Sequence, residues 1–255
     1  NGYSVIICLS DDSFDKEVLN MEMLANGSID GFIMSLSKET QFKGDFHHIT
    51  EVISQGMPVV MFDRVTNDIL CDKVIINDEL AAYEAVQNLI DKGRKKIALV
   101  TTVDYVSVGK FRTDGYIKAL RDNGLPFDEN LIIKIENVEN CEITIAQLLE
   151  DKAFDAIFAV NELFAVTIIK MANKIGIKVP EDLAVIAFTD GIISKYSTPT
   201  ITTVSQNGLE MGSVAAKILI ERLEAEEEGT EIEEKDEVYK TVVIETHLIE
   251  RESTL

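Results

Sequence analysis

The chain has 255 residues, of which 46 % are hydrophobic, and its formal net charge at pH 7 is −21. A chain of this length can bury one large core or two smaller ones. The acidic balance argues against direct binding of phosphate backbones, which requires clustered Lys and Arg. No apolar run reaches the roughly 18 residues that cross a membrane, and the first residues do not resemble a signal peptide.

Apolar runs and helix-period segments alternate from the start of the chain. We predict strands at residues 3–9, 32–36, 59–62, 74–76 and 97–101. The helices predicted between them comprise residues 14–26, 46–56 and 79–92, and glycine ends each of these helices. Asn77 and Asp78 stand where the third of these helices begins, and we interpret them as its cap.

The same alternation continues after residue 101. The next predicted strands are residues 131–136, 156–160, 183–188 and 201–204, followed by one or two strands within 238–249. The predicted helices are residues 108–123, 142–152, 163–175 and 207–227. Much of the excess negative charge lies in residues 224–237, which we interpret as a solvated helix end and loop.

Strands 156–160 and 183–188 are too apolar to have a solvent face, as a parallel sheet covered on both sides requires. The alternation over the whole length therefore predicts an α/β fold with parallel sheets and right-handed crossovers. About ten strands would make a wide single sheet, and the pattern restarts after Gly93. We expect two Rossmann-like lobes.

Polar residues follow the predicted strands at their carboxyl ends, where parallel α/β sheets bind ligands. The set comprises Ser10, Asp63, Arg64, Thr101, Thr102, Asp104, Asn161, Glu162, Thr189 and Asp190, with Arg112 just after the start of a helix. Their donors and acceptors together suit a polyhydroxylated ligand. The local alternative is that the Asn and Asp residues cap helices and that Glu162 favours a helix dipole.

Enzyme and metal signatures are poor. The sequence has no GxGxxG, GxxxxGK[ST] or GxSxG motif. His47 and His48 lie at the start of a helix that we expect to be exposed, and adjacent histidines point to different helix faces. Cys8, Cys71 and Cys141 lie far apart without metal-ligand spacing, which favours free thiols. We therefore predict no catalytic residues, no metal and no cofactor.

Several motifs resemble the effector-binding domain of LacI/GalR-type transcriptional regulators. They are AVNE (159–162), GIKVPEDLAVIAFTD (176–190), QGMPVVMFDR (55–64), KGRKKIA (92–98), RTDGY (112–116), TTVSQ with MG (202–212) and REST (251–254). The motifs follow one another in family order, and the resemblance covers essentially all 255 residues.

The resemblance implies a type I periplasmic-binding-protein-like fold with a ligand cleft between two lobes. The N-terminal lobe would comprise residues 1–95 plus 207–230, and the C-terminal lobe residues 96–204 plus 238–255. The positions that match the family's effector contacts are Asp63, Arg112, Asn161, Thr189 and Asp190.

The function implied by the resemblance is that of a cytoplasmic, homodimeric transcription regulator. It would bind a small effector, most often a sugar or sugar derivative, and lobe closure would shift a pre-existing equilibrium. Operator DNA would be bound by an N-terminal headpiece absent from this chain, and no membrane partner is expected. Replacing Arg112 with Ala should abolish effector binding while the fold is kept.

The sequence departs from the family pattern at a few positions. Glu162 and Thr189 stand where the family has Asp, Arg94 stands where it has His, and residues 136–140 offer no aromatic residue to stack on a sugar. The family also begins this domain with a strand and helix before the start of this chain, and we expect the natural protein to have that strand upstream.

Two other functions are compatible with the same fold. One is a periplasmic or extracellular sugar-binding protein of a transporter or chemoreceptor, and the other is an enzyme that acts on a sugar. The free cysteines, the helix that starts at Asn207 and the REST ending favour the regulator over the sugar-binding protein.

Overall fold

The computed structural model describes residues 2–150, 154–227 and 239–255. Its contacts divide the chain into two compact units. Unit 1 comprises Asn1–Ile75, Tyr105–Ser107 and Leu209–Ile244, and unit 2 comprises Ile76–Asp104, Val108–Gly208 and Glu245–Leu255. Residues 228–237 of the acidic block lie outside the described residues.

Unit 1 contains a four-stranded sheet in the order β1-β2-β3-β9, in which β1 pairs in parallel with β2 and β2 with β3. The strands are β1 (Phe32–Met34), β2 (Val59–Phe62), β3 (Asp72–Ile76) and β9 (Thr241–Ile244). The helices are α1 (Phe14–Leu24), α2 (Lys38–Lys43), α3 (His47–Ser54) and α9 (Gly208–Glu227). Apolar side chains of α1, α3 and β2 form its core, for example Met21, Ile49 and Met61.

Unit 2 contains a six-stranded sheet in the order β10-β8-β7-β6-β4-β5, in which only the β10–β8 pair is antiparallel. The strands are β4 (Ile97–Thr101), β5 (Ile132–Lys134), β6 (Ala156–Ala159), β7 (Ala184–Phe188), β8 (Thr202–Ser205) and β10 (His247–Ile249). The helices are α4 (Asp78–Asp91), α5 (Ser107–Asp122), α6 (Cys141–Glu150), α7 (Glu162–Lys174) and α8 (Ile192–Tyr196).

The predicted α/β fold with parallel sheets is confirmed. Every residue of β4, β6 and β7 is buried, as expected for central strands that are covered on both faces. The carboxyl ends of these parallel strands consequently lie at one edge of the unit 2 sheet. This edge is where the sequence placed most of the candidate ligand-binding residues.

The strand predicted at residues 3–9 is wrong, because residues 2–10 form neither helix nor strand. Apolar side chains in this segment are exposed, with 84 % of Val5 and 83 % of Ile7 accessible. Alternating apolar residues make a segment able to form a strand, but a strand also needs a neighbour for its backbone N–H and C=O groups. No described strand pairs with this segment.

The contact grouping differs from the predicted lobe boundaries at three places, one of which is the short segment Tyr105–Ser107, which groups with unit 1. Helix α4 groups with unit 2, although residues 78–95 were assigned to the first lobe. Strand β9 groups with unit 1, where the N–H of Lys73 donates to the carbonyl of Lys240, although residues 238–255 were assigned to the second lobe. The predicted segment 238–249 thus forms two strands in different sheets.

No helix within the described parts of the chain is long and apolar enough to span a membrane.

Candidate ligand-binding site

Arg112 lies at the carboxyl ends of β6 and β7 in unit 2. Its Nη1 donates to the carbonyl oxygen of Val160 at 2.8 Å, and its guanidinium stacks over the Phe188 ring with 4.0 Å to the centroid. Val160 directly precedes Asn161, and Phe188 directly precedes Thr189. The structure therefore brings three of the predicted site residues to the same edge of the sheet.

Arg112 is also half of a buried ion pair. Its Nε donates to Oδ1 of Asp78 at 2.7 Å, and both side chains are almost fully buried. The interpretation of Asp78 as a cap was wrong, because the Asn77 side chain caps α4 by accepting from the N–H of Leu80. Asp78 follows the predicted strand 74–76 after one intervening residue, and this position is the signal that could have placed it at the site.

Asn161 and Glu162 both cap helices, but not the same helix. Oδ1 of Asn161 accepts from the N–H of Phe164 and caps α7, the helix that Asn161 precedes. Glu162 reaches a different helix, since its Oε2 accepts from the N–H of Gly191 at 3.0 Å and from the N–H and hydroxyl of Ser194. Its carboxylate therefore lies at the start of α8.

Thr189 adopts a backbone conformation that L-residues avoid. Its φ is +73°, and a β-branched residue in the left-handed region is an outlier. The N–H of Thr189 donates to the carbonyl of Val204 at 3.0 Å, and its hydroxyl donates to Oε1 of Gln206 at 2.7 Å. Backbone strain of this kind persists only where surrounding contacts fix it, and it concentrates at binding sites.

The carboxylate of Asp190 contacts three other side chains. Oδ1 accepts from Nη2 of Arg251 at 2.6 Å and from the hydroxyl of Thr203 at 2.9 Å, and Lys195 lies 3.2 Å from Oδ2. Burial raises the pKa of this carboxyl, but the hydrogen bonds from Arg251, Thr203 and Lys195 outweigh burial and leave the pKa below its ordinary value. Asp190 is therefore ionised at neutral pH.

Among the five predicted effector contacts, Asp63 is the one that lies in unit 1. It follows β2 with φ +57°, and its N–H donates to the carbonyl of Val74. Beside it, Arg64 donates to Oδ1 of Asp12, which also accepts from the N–H of Lys38. Asp12 itself has φ +60°, so positive φ values also occur among the polar residues of unit 1.

The expectation that His48 is exposed was wrong. His48 is buried, and its Nε2 lies 3.0 Å from Oε1 of Glu17. The same carboxylate accepts from the hydroxyl of Thr40 and from the N–H of Ser37, the residue that caps the start of α2. Glu17 thus contacts polar groups of two neighbouring helices, α2 and α3, and its carboxylate gives Nε2 of the buried His48 a hydrogen-bond partner.

Among the described residues, no group of three or more His, Cys, Asp or Glu side chains is placed to bind a metal ion. The free thiols of Cys71 and Cys141 are buried and that of Cys8 is exposed. Burial is the main reason that the pKa of the Cys71 thiol is raised.

The chain matches the model of one protein family, described as a periplasmic binding protein-like domain, over residues 86–254. It is 32 % identical over 213 residues to the HTH-type transcriptional regulator DegA of Bacillus subtilis (strain 168), which covers 83 % of this chain and 63 % of DegA. It is 30 % identical over 257 residues to catabolite control protein A of Priestia megaterium, covering 99 % of this chain and 73 % of that protein.

A solved structure described as a complex of the transcriptional regulator CelR with cellobiose has the same fold. It superposes with a TM-score of 0.79 at 25 % identity, over 94 % of this chain and 71 % of that chain. This chain spans less than two thirds of DegA. The activities and partners of the whole matched proteins are therefore proposals for this chain.

Proposed function

Because the chain belongs to the LacI family of transcription regulators, we propose that it is the effector-binding and dimerisation domain of a cytoplasmic regulator. The effector is a sugar or sugar derivative, and its binding controls the affinity for operator DNA. A headpiece outside this chain binds the DNA, because a chain with a net charge of −21 does not suit a phosphate backbone. Asp63, Arg112, Asn161, Thr189 and Asp190 are the proposed effector contacts.

The observation that carries this proposal is the group of polar side chains at the carboxyl ends of the unit 2 strands. Arg112, Asp78, Thr189 and Asp190 offer donors and acceptors at the carboxyl ends of β6 and β7, and this mixture matches the hydroxyl groups of a sugar. The arginines are paired with aspartates, Arg112 with Asp78 and Arg251 with Asp190. This pairing favours an uncharged sugar over a phosphorylated one.

Exposed apolar side chains on α7 and α8 support the proposed homodimer. Leu163, Ile192 and Tyr196 are 40 %, 72 % and 82 % accessible, and apolar and aromatic residues of this kind are enriched at the centres of subunit interfaces. We expect light scattering at micromolar concentration to give the mass of a dimer. Replacing Tyr196 with Glu should then shift the mass towards that of a monomer.

The effector is tested by thermal unfolding with added ligands, namely cellobiose, D-ribose, D-glucose, glucose 6-phosphate and a purine. A sugar at about one hundred times its Kd stabilises the folded chain by about 2.7 kcal/mol, which a melting curve resolves. We expect an uncharged sugar to raise the melting temperature. A panel in which no sugar does so contradicts the proposal.

A pair of threonine variants localises the binding. Thr189→Ala removes a hydroxyl at the proposed site, whereas Thr144→Ala removes a hydroxyl that bonds to the carbonyl of Asn140 near the start of α6. The first variant should lose most of the shift caused by the sugar, and the second should keep it. Equal shifts for the two variants would remove Thr189 from the site.

A further inference from the structure

The segment from Thr189 to Tyr196, called here the strand-end loop, carries two of the proposed effector contacts and then forms α8. It begins with the strained backbone of Thr189 at φ +73°. Such a conformation returns to an ordinary one unless neighbouring groups hold it. Two charged side chains from distant parts of unit 2 contact the loop, and neither side chain belongs to it.

Glu162 holds the loop from α7. Its carboxylate accepts three hydrogen bonds, from the N–H of Gly191, the N–H of Ser194 and the hydroxyl of Ser194. A Cβ at position 191 would lie 2.2 Å from Oε1 of Glu162, so glycine is what allows the carboxylate to approach. The first N–H groups of a helix have no partner within the helix, and Glu162 supplies the acceptor for α8.

Arg251 holds the loop from the C-terminal segment. Nη2 binds Asp190 at 2.6 Å, while Nη1 donates to the carbonyl of Ile201 at 2.8 Å and to the hydroxyl of Thr203 at 3.0 Å. The guanidinium therefore links Asp190 to β8 and to the residue before it. The side chains of Arg251 and Asp190 are 16 % and 11 % accessible, so water screens this pair little.

We propose that Glu162 and Arg251 are positioning residues that hold the strand-end loop in the geometry with which Thr189 and Asp190 meet an effector. Glu162 fixes the start of α8, and Arg251 fixes the Asp190 carboxylate. The link to effector binding rests on the proposed function, whereas the hydrogen bonds by which Glu162 and Arg251 restrain the loop form without any ligand.

Hydrogen–deuterium exchange of the ligand-free chain tests the hold on the loop. Glu162→Ala and Arg251→Met remove the two side chains. Glu142→Ala, which breaks the exposed pair with Lys170, and Arg121→Met, at an exposed position near the end of α5, are the matched controls. Amides of residues 189–196 should exchange about tenfold faster in the first two variants, because local opening becomes easier. The controls should match the parent.

Unchanged exchange in the loop overturns the proposal, and so does an equal acceleration across β4, β6 and β7, which would report general destabilisation. Gly191→Ala provides a second route, because its methyl group displaces the Glu162 carboxylate. It should accelerate loop exchange in the parent but add nothing to Glu162→Ala. An equal effect of Gly191→Ala in both backgrounds counts against the role of Glu162.

The Asp190 carboxyl provides a readout that a general packing role would not change. Its pKa, measured from carboxyl carbon shifts by NMR, should rise towards the ordinary value in Arg251→Met and stay low in Glu162→Ala, because Arg251, Thr203 and Lys195 are the groups that face it. A pKa that does not change in Arg251→Met overturns the role of Arg251.

Titration with the sugar that stabilises the parent tests the link to binding. Both positioning variants should bind it about tenfold more weakly, and the controls should bind it as the parent does. Faster loop exchange with unchanged affinity overturns the link to the effector. If no sugar stabilises the parent, the proposed function fails, while the exchange experiment still decides whether Glu162 and Arg251 hold the loop.

Discussion

Removing the Arg112 guanidinium should destabilise the chain strongly. Arg112→Met keeps most of the length of the side chain and deletes three contacts: the ion pair with Asp78, the hydrogen bond to the Val160 carbonyl and the stacking on Phe188. The sequence alone led us to expect that an Arg112 variant would lose its ligand and keep its fold. The burial of both charges changes that expectation.

The expected loss in the free energy of unfolding follows from the charge of Asp78, which remains buried in Arg112→Met. Deleting one partner of a buried ion pair costs about 3–5 kcal/mol, because the other charge stays buried and loses the attraction of its partner. Asp78→Asn removes that charge, so the double variant should be about 2 kcal/mol more stable than Arg112→Met alone, which is within the coupling range of contacting residues. The double variant therefore offers a better folded background for ligand titrations.

Urea unfolding followed by far-ultraviolet circular dichroism measures these differences. The matched control lies on the same two helices, α4 and α5, where Lys118 and Glu79 form an exposed pair at 3.3 Å. Lys118→Met should cost less than about 1 kcal/mol, as exposed pairs do. Two results would refute the reasoning: Arg112→Met as stable as Lys118→Met, or a double variant no more stable than Arg112→Met.

Two further predictions concern Gly115 and Asp190. Gly115→Ala should cost about 1–3 kcal/mol in urea unfolding, because a Cβ there would lie 2.2 Å from the carbonyl oxygen of Glu79. Gly212→Ala on α9, where a Cβ would meet no atom within 4 Å, should instead gain up to about 1 kcal/mol. Equal effects of the two substitutions would contradict the close packing of α4 and α5. The lowered pKa of Asp190 makes its carboxylate stabilising above the ordinary pKa of 3.8, and this contribution is lost as the pH falls through the folded-state pKa. Asp190→Asn should therefore be less stable than the parent at neutral pH and lose less stability on acidification, and parallel pH profiles of unfolding free energy would contradict this.

The alternation of strands and helices could be predicted from sequence because central parallel strands are continuous apolar runs. The predicted strand 156–160 corresponds to β6 and the predicted strand 183–188 corresponds to β7, each with a difference of one residue. Each helix between such strands presents an apolar face with a period of 3.6 residues. Local pattern is sufficient here, because burial on both faces leaves little freedom in residue type.

Helix α2 was missed although its signals are in the sequence. The Ser37 hydroxyl accepts from the N–H of Thr40, and Gly44 ends the helix with φ +62°. The helix has only six residues and therefore too few turns to show an apolar period. The prediction of a strand at residues 3–9 failed for the opposite reason. Its apolar pattern is clear, but such a pattern does not show which strand would pair with the segment.

The candidate site could be predicted only in part. Strand ends identified Asn161, Thr189 and Asp190, since Asn161 and Thr189 each follow an apolar run directly and Asp190 comes next after Thr189. The partners of the site residues come from far along the chain: Asp78 lies 34 residues before Arg112, and Arg251 lies 61 residues after Asp190. Such pairs arise from the tertiary fold, and no local pattern marks them.

The backbone itself indicates where function constrains this sequence. The described residues other than glycine that have positive φ are Asp11, Asp12, Asp63, Thr189 and Asn207. Asp63 directly follows β2, Thr189 directly follows β7, and Asn207 follows β8 after one intervening residue. Glycine would adopt these conformations without strain, and stability alone would favour it there. Side chains that persist at strained strand ends are consistent with a requirement for their polar groups, which is the physical reason to look for the effector there.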